Sequence, residues 1–553
     1  MKKRILIILL VLVAVLGFAY WWFLKRDKTD HLTSVPKDAA IVFSANLLSL
    51  AEKANIEGLK KLLIYKQYEV LTGINKEMGH IKDIIDHPIS AGFDPAAEPA
   101  LFVNKVGNAT QMGVSFRILS ESAFEATIRK LMELDESEKV KQEDGIKYLS
   151  LKNDEQTIAW KGNKGLLLVM SNLTNQWEDE ETEPEKELPV AQVALNLMKQ
   201  TEDNSILANT DFADFRKKEH DVNMFINYEK YMQMYAGFNT IWLPGMPDLS
   251  KLDDLYKDMN AGTRIVFANS QISIVSELYF ATKLAEDKMK ILGRGISAEH
   301  LKLITNKDIH AIMTMSVDMP KVAAMLSMVK PFDEGIKRIA EKMQMSKDEM
   351  LGMFGGDLTL AITDVNIQEK KVIEYNYNPE KEEAQEQEVI RKSPMPIYTF
   401  TFSSKDKVRL KELFRKNMSK GEDGIWKMNM ASMDIYVIES KTGFTNTNNL
   451  SIAQTIASGK TLAELPEPAK DLVSKNPYCF YLNLDPKKLP TTFNEYMKEE
   501  GGMTWTKAMQ YVSMFKDVQM TGDLKAARLD INMTDSKDNS LYRLFEQADK
   551  LMK

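Results

Sequence analysis

Among the residues able to do chemistry, His80, Asp83 and His87 come closest to a constellation. Their i, i+3, i+7 spacing places two imidazoles and a carboxylate on one face of a helix running to Pro88, a donor set that suits a transition metal. No fourth ligand and no supporting residue can be named beside them, so the face reads as a solvated helix end. The expectation is therefore no catalytic residue, no cofactor and no structural metal. SGKTLAEL from Ser458 imitates a phosphate loop, but the position that needs the first glycine is Gln454. Thr461 with Glu464 reads instead as a capping box. GRGISA from Gly293 imitates a dinucleotide fingerprint without the alternating βαβ surroundings such a site requires, and reads as a joint. Nucleophile elbows, zincin motifs and paired cysteine ligands are absent from the sequence.

Sulfur chemistry fares no better. The chain's one cysteine, Cys479, lies in the apolar stretch YCFYLNL and reads as a small buried hydrophobe. The 33 methionines include Met313, Met315, Met319, Met350 and Met353. Thioethers favour copper(I), but this spacing follows the apolar faces of a strand and helices, where methionine fills a core.

The elements that would position any such residue follow a repeated design. VPKDAAIVFSANLLSLAEKA, Val35 to Ala54, gives a polar turn, a short strand, Asn, and a segment with helical spacing. The design returns at His220, Asn306 and Lys475. Between the first two copies, ALFVN and MGVSFRIL read as paired strands, Ser122 to Leu134 as a helix, and IKYLSL, TIAWKG and GLLLVMS as further strands. After Gly295 the same order recurs: LTLAITDV, PIYTFTFS, a helix over Lys405 to Asn417, then GIWKMNMASMDIYVIES. QEDGIKYLS from Gln142 parallels GEDGIWKMN from Gly421. QISIVSELYF and AARLDINMTD each precede a terminal helix.

The predicted fold is thus α+β, with tandemly duplicated units of antiparallel sheet and helices packed on one face. Two halves are expected, 35–292 and 300–553, with a joint at 293–299. The first divides into 35–171 and 190–292 about an acidic linker, 172–189. The second divides into 300–445 and 450–553, with a charged insertion, 366–394, expected to be a solvated loop or disordered.

Composition excludes some classes of function. Hydrophobic residues at 44% and charged residues at 27% are ordinary for a globular chain of 553 residues, and mean hydropathy is -0.30. The formal charge of -7 is concentrated in Glu178 to Glu187, and no clustered basic field exists past the N-terminus, so nucleic acid is not an expected partner. At the N-terminus a basic leader, residues 1–4, precedes an unbroken apolar run, Ile5 to Leu24, closed by Tyr20, Trp21, Trp22 and Phe23. About 20 residues span a hydrocarbon core of roughly 30 Å, and bulky aromatics in place of small residues argue against cleavage. This predicts a transmembrane signal anchor with its N-terminus inside, a linker at 25–34, and an ectodomain in the periplasm of a bacterial inner membrane.

VPKDAAIVFSANLLSLAEKA, its recurrence, and the anchoring N-terminus resemble the exported Bacteroidetes proteins grouped as domain of unknown function forty-eight thirty-six. The resemblance implies a cell-envelope protein, often a lipoprotein in that group, with no assigned activity. No cysteine follows the apolar leader here, which favours an uncleaved helix over a lipid anchor. The functional expectation is a membrane-anchored envelope protein that binds an envelope protein or other ligand without catalysis. The alternative is an enzyme whose site is assembled from dispersed residues.

Overall fold

The computed structural model describes residues 29–74, 76–107, 109–133, 140–151, 155–172, 189–234, 257, 259–283, 286–287, 290–293, 295–296, 300, 303, 309–328, 330–378, 383–420, 424–430, 433–459, 469–523, 525–535 and 537–553. The run Ile5 to Leu24, nearly all of the acidic linker, and the Thr461–Glu464 box lie outside them. Among the described residues no helix is long and apolar enough to cross a membrane. The chain divides into two compact units, Met1–Ala51 with Gln67–Tyr231, and Glu52–Lys66 with Met232–Lys553.

In the first unit the strands are β1 (Ile41–Ala45), β2 (Ala100–Val106), β3 (Ala109–Arg117), β4 (Lys141–Glu143), β5 (Ile146–Leu151), β6 (Gln156–Lys161), β7 (Lys164–Asn172) and β8 (Val222–Asn227). Every pairing is antiparallel, and the order across the sheet is β8-β1-β2-β3-β7-β6-β5-β4. Alternation of small and aromatic residues sets the fit between neighbours. Gly113 lies under the Phe102 ring and Gly165 under Phe116, where a Cβ would come within 2.3 and 2.2 Å of ring carbons. Between β4 and β5, Asp144 and Gly145 both take positive φ, 50° and 76°, the backbone of a tight hairpin turn.

Helices α1 (Leu63–Ile74) and α2 (Lys76–Asp86) precede β2, α3 (Glu121–Leu131) follows β3, and α4 (Val190–Met198) precedes β8. Ser120 caps α3 by accepting the Ala123 N–H at 3.3 Å, and Arg129 and Lys130 complement its C-terminal dipole. Its buried Phe124 and Ile128, one turn apart, pack with Ile118, Leu149, Ile158 and Trp160. Truncating Phe124 to Ala would cost about 3–5 kcal/mol. On β6, Thr157 and Ala159 are as buried as Ile158 and Trp160, and α4 packs on that strand. Successive strand side chains point to opposite faces, so β6 is covered on both. This corrects the expectation of helices on one face: α4 supplies a second cover through Ala194, Leu195, Leu197 and Met198.

The second unit holds β9 (Asn260–Ala268), β10 (Gln271–Tyr279), β11 (Ala311–Ser316), β12 (Phe354–Asn378), β13 (Glu383–Ser404), β14 (Ser419–Lys420), β15 (Trp426–Met430), β16 (Met433–Glu439), β17 (Gly443–Thr447), β18 (Tyr478–Asn483), β19 (Phe515–Gly522) and β20 (Ala526–Met533). Their order is β9-β10-β20-β19-β18-β11-β12-β13-β17-β16-β15-β14, again antiparallel throughout. Its last eight strands therefore follow the same sequential order as the eight of the first unit. Helix α5 (Lys407–Asn417) follows β13, as α3 follows β3, and Asp406 caps it through the Arg409 N–H at 3.0 Å. Helices α6 (Leu450–Ala457), α7 (Thr491–Val512) and α8 (Ser540–Met552) also belong to this unit. Leu410, Trp426, Phe444, Met350 and Met353 are buried in one core cluster of this unit.

Two expectations change here. The described residues of the stretch 366–394 are strand: β12 and β13 pair without interruption from Asn366↔Met395 to Asn378↔Glu383. Its charges stabilise the ribbon, since Lys371 pairs with Glu388 at 2.5 Å and Arg391 with Glu374 at 2.5 Å across the strands. The described residues also place 35–171 and the start of 190–292 in one sheet, because β8 lies directly beside β1.

Cys479 is fully buried in β18 and free, and burial pushes its thiol up to about 12. Only the thiolate reacts. A maleimide at neutral pH should therefore leave Cys479 unlabelled in the native chain and label it fully in guanidinium. Native labelling at the rate of a free thiol would contradict this.

Candidate functional site

Helix α2 carries His80 and Asp83, and His87 follows directly, its N–H bonded to the Asp83 carbonyl at 3.0 Å. All three line one cavity of about 340 Å³, with Ser90 and with Thr127 and Lys130 of α3. Lys130 Nζ sits 3.3 Å from the Asp83 carboxylate, both groups largely exposed. An ammonium there opposes a divalent cation. Among the described residues no three His, Cys, Asp or Glu side chains are grouped to hold a metal.

The opposite side of α2 is apolar. Ile81 and Ile85, one turn apart, are 47% and 63% exposed, and Ile89 beyond the helix is 62% exposed. The helix thus turns His80 and Asp83 together with Ile84 towards α3, while Ile81 and Ile85 face outward.

The strongest electrostatics in the first unit lie elsewhere, at a buried network that joins the 3-10 turn Asp30–Ser34 to the end of β3. Arg117, 3% exposed, donates from Nη1 to Asp94 at 2.5 Å and from Nε to Asp30 at 3.2 Å. Asn163 also donates to Asp30. Ser115 Oγ donates to the His31 carbonyl at 2.6 Å, and Lys164 Nζ donates to Thr33 Oγ1 at 2.8 Å. The turn is therefore fastened to β3 and β7 by side chains whose charges are compensated in place.

Two histidines hold the segment that leads into β2. His31 is fully buried, and its Nε2 donates to the Glu98 carbonyl at 2.9 Å, which requires the Nε2–H tautomer. Burial chiefly, aided by the charges of Arg216 and Arg117, holds His31 down to about 4, against the opposing pull of the Glu98 carbonyl. His220 Nε2 lies 3.0 Å from the Glu98 carboxylate, and its Nδ1 lies 2.7 Å from the Lys218 carbonyl. Burial would lower His220, but the hydrogen bonds to Glu98 and Lys218 and the Glu98 charge outweigh it and raise the group. Glu98 is correspondingly held below its ordinary range: burial raises it, while His220 and Arg216 more than offset that.

The second unit has a counterpart of His31. His300 is fully buried, and burial lowers it against the Asp357 charge and the Thr401 backbone. The local frames match, since Phe93 bridges Ile118 and Phe354 faces Ser404. Arg117 and Ser403 stand just before those partners. In place of Arg117's ion pair, Ser403 Oγ accepts the Asp357 N–H at 2.8 Å. The pattern DHLTSVPKD against EHLKLITNKD was available in the sequence as the signal for both histidines. It was obscured by the one-residue difference in spacing before the strand.

Beside His300 the Thr442 hydroxyl lies 3.5 Å from Nδ1. In the first unit the arrangement is a clamp: compensated charges and a neutral histidine fix the 3-10 turn to β3 and β7, strands in the middle of the sheet. Comparison with known proteins gives no activity to test against this geometry. No curated protein matches the chain. Two solved structures, crystal forms III and I of TP0453, are 10% and 9% identical, each with a TM-score of 0.22 and covering 48% of this chain and 89% and 88% of theirs. Likeness at that score carries no argument about fold or activity. The family model described as Domain of unknown function (DUF4836) matches residues 33–541, from within the 3-10 turn into α8, and the chain belongs to that family.

Proposed function

We propose that this chain is a membrane-anchored, non-catalytic envelope protein that binds a protein partner through the ribbon of β12 and β13. The observation that carries the reading is where that ribbon stops being part of a sheet. β11 pairs with β12 only over Ala311↔Ile362 to Ser316↔Asp357, and β17 pairs with β13 only over Thr399↔Thr447 to Ser403↔Gly443. Past those pairs, Val365 to Asn378 runs on with β13 as its strand partner, a reach of roughly 45 Å at about 3.3 Å per residue. On one face Lys371, Ile373 and Tyr375 stand opposite Ile390, Glu388 and Glu386. Ile373, Tyr375 and Ile390 are 58%, 66% and 62% exposed. Large apolar groups ringed by charge are the composition of a protein-recognition surface, and an extended partner segment fits a ribbon edge.

Ile5 to Leu24 is the anchor in this reading, with the N-terminus inside and residues 35–553 in the periplasm. The halves 35–292 and 300–553 are products of tandem duplication. Supporting this are the repeated strand order, the paired buried histidines, and left-handed Gly145 and Gly424 at φ 76° and 78° before β5 and β15.

A photo-crosslinking residue in place of Tyr375 in intact cells should give a discrete protein adduct. The same residue in place of Val372, on the reverse face, should give none. Serine at Ile373 and Ile390 should abolish the Tyr375 adduct; an adduct that survives that change, or none at either position, would sink the proposal.

A further inference from the structure

We infer that the outward apolar face formed by Ile81 and Ile85 of α2, with Ile89 beyond it, rests on the lipid bilayer. This rests on the anchor reading above. The three side chains are 47%, 63% and 62% exposed, a row at four-residue spacing that soluble surfaces seldom carry without a partner. Nothing in the polar half of α2 explains them, since His80, Asp83 and His87 are turned into the cavity beside α3.

The occupant follows from chain length. Leu24 ends the apolar run and Thr29 opens the described residues, so five residue steps separate bilayer and first unit, a reach of at most about 18 Å. Lys25, Arg26 and Lys28 outnumber Asp27 in that tether, and such cations are drawn to anionic headgroups. A unit held so close meets the headgroup layer at high effective concentration. A helix with Ile81 and Ile85 on one side and Lys82 and Asp86 at its flank lies in the interface plane, those two side chains among the acyl ends.

The test uses the full chain in vesicles of phosphatidylcholine and phosphatidylglycerol. Ile81→Cys, Ile85→Cys and Asp86→Cys each carry an environment-sensitive fluorophore, and wild type reports any background from buried Cys479. Flotation with the vesicles is read separately. Probes at Ile81→Cys and Ile85→Cys should brighten several-fold, shift to the blue and be quenched by spin-labelled lipid, while Asp86→Cys stays water-like. Water-like emission at Ile81→Cys and Ile85→Cys in chains that float would overturn this inference and leave the anchor standing. A blue shift without lipid quenching would assign the face to a second copy or another protein, and also overturns it. Failure to float would overturn the anchor and this inference together.

Discussion

Arg117→Met should strip about 3–5 kcal/mol from the first unit, the loss expected when one member of a buried ionic group is removed. Methionine keeps the apolar length of the stem, so the difference is charge and donors. Asp94, 2% exposed, and Asp30, 20% exposed, would be left facing each other without the guanidinium between them. Arg117→Lys restores the charge but cannot donate to both carboxylates from one planar fork, and should fall between wild type and Met. Hydrogen exchange read peptide by peptide distinguishes the units. Faster exchange should be confined to the first unit, in the 3-10 turn, β3 and the residues around Asp94. Adding Asp94→Leu to Arg117→Met should recover part of the loss, because no uncompensated charge then remains at that position. A loss under about 1 kcal/mol would show that the network is solvated and has no clamping role.

His31 should make the first unit acid-sensitive across a defined window. Its ordinary value is 6.5 and its folded value about 4. Below the first, the unfolded chain takes up a proton that the folded chain refuses until the second is reached. Stability therefore falls as pH drops from about 6.5 to about 4, by up to about 3 kcal/mol at 1.36 kcal/mol per unit. His220 acts on the other side: its raised value gives stability that is complete below 6.5 and lost as pH rises through the folded value. Glu98, held low, gives stability present above 4.5 and lost as pH falls through its folded value. His31→Gln keeps a donor for the Glu98 carbonyl and removes the titration. Denaturant midpoints for the first unit should then flatten between pH 6.5 and 4; an unchanged slope would assign the acid sensitivity to other groups.

Local pattern made much of the sheet readable. ALFVN and MGVSFRIL alternate in register with the faces they bury, and Leu101 lies opposite Val114 as paired strands require. Within the helix read over Ser122 to Leu134, Phe124 and Ile128 stand four residues apart, the spacing by which α3 buries one side. The ribbon of β12 and β13 is hidden in the sequence for a physical reason: its charges read as solvated, although Lys371 and Glu388, 17 residues apart, neutralise each other across the two strands. The second cover on β6 escaped because Thr157 and Ala159 are small and of mixed polarity, so nothing in TIAWKG separates a strand buried on two faces from one buried on one. His80, Asp83 and His87 do meet at one cavity, as helical spacing implied. Asp94, Arg117 and His220 lie far apart in sequence, and no spacing rule links them.

The pairing of β10 with β20 has a consequence for synthesis. Gln271 meets Asn532, 261 residues later. At about 5–20 residues per second, β10 waits roughly 13–50 s on the ribosome for its partner to be made. During that interval one side of β10 can pair with β9 while the other presents free N–H and C=O groups to any extended segment nearby. Premature termination before Ala526 would make that exposure permanent, so stalled or shortened products of this chain should be aggregation seeds and substrates for holdase chaperones.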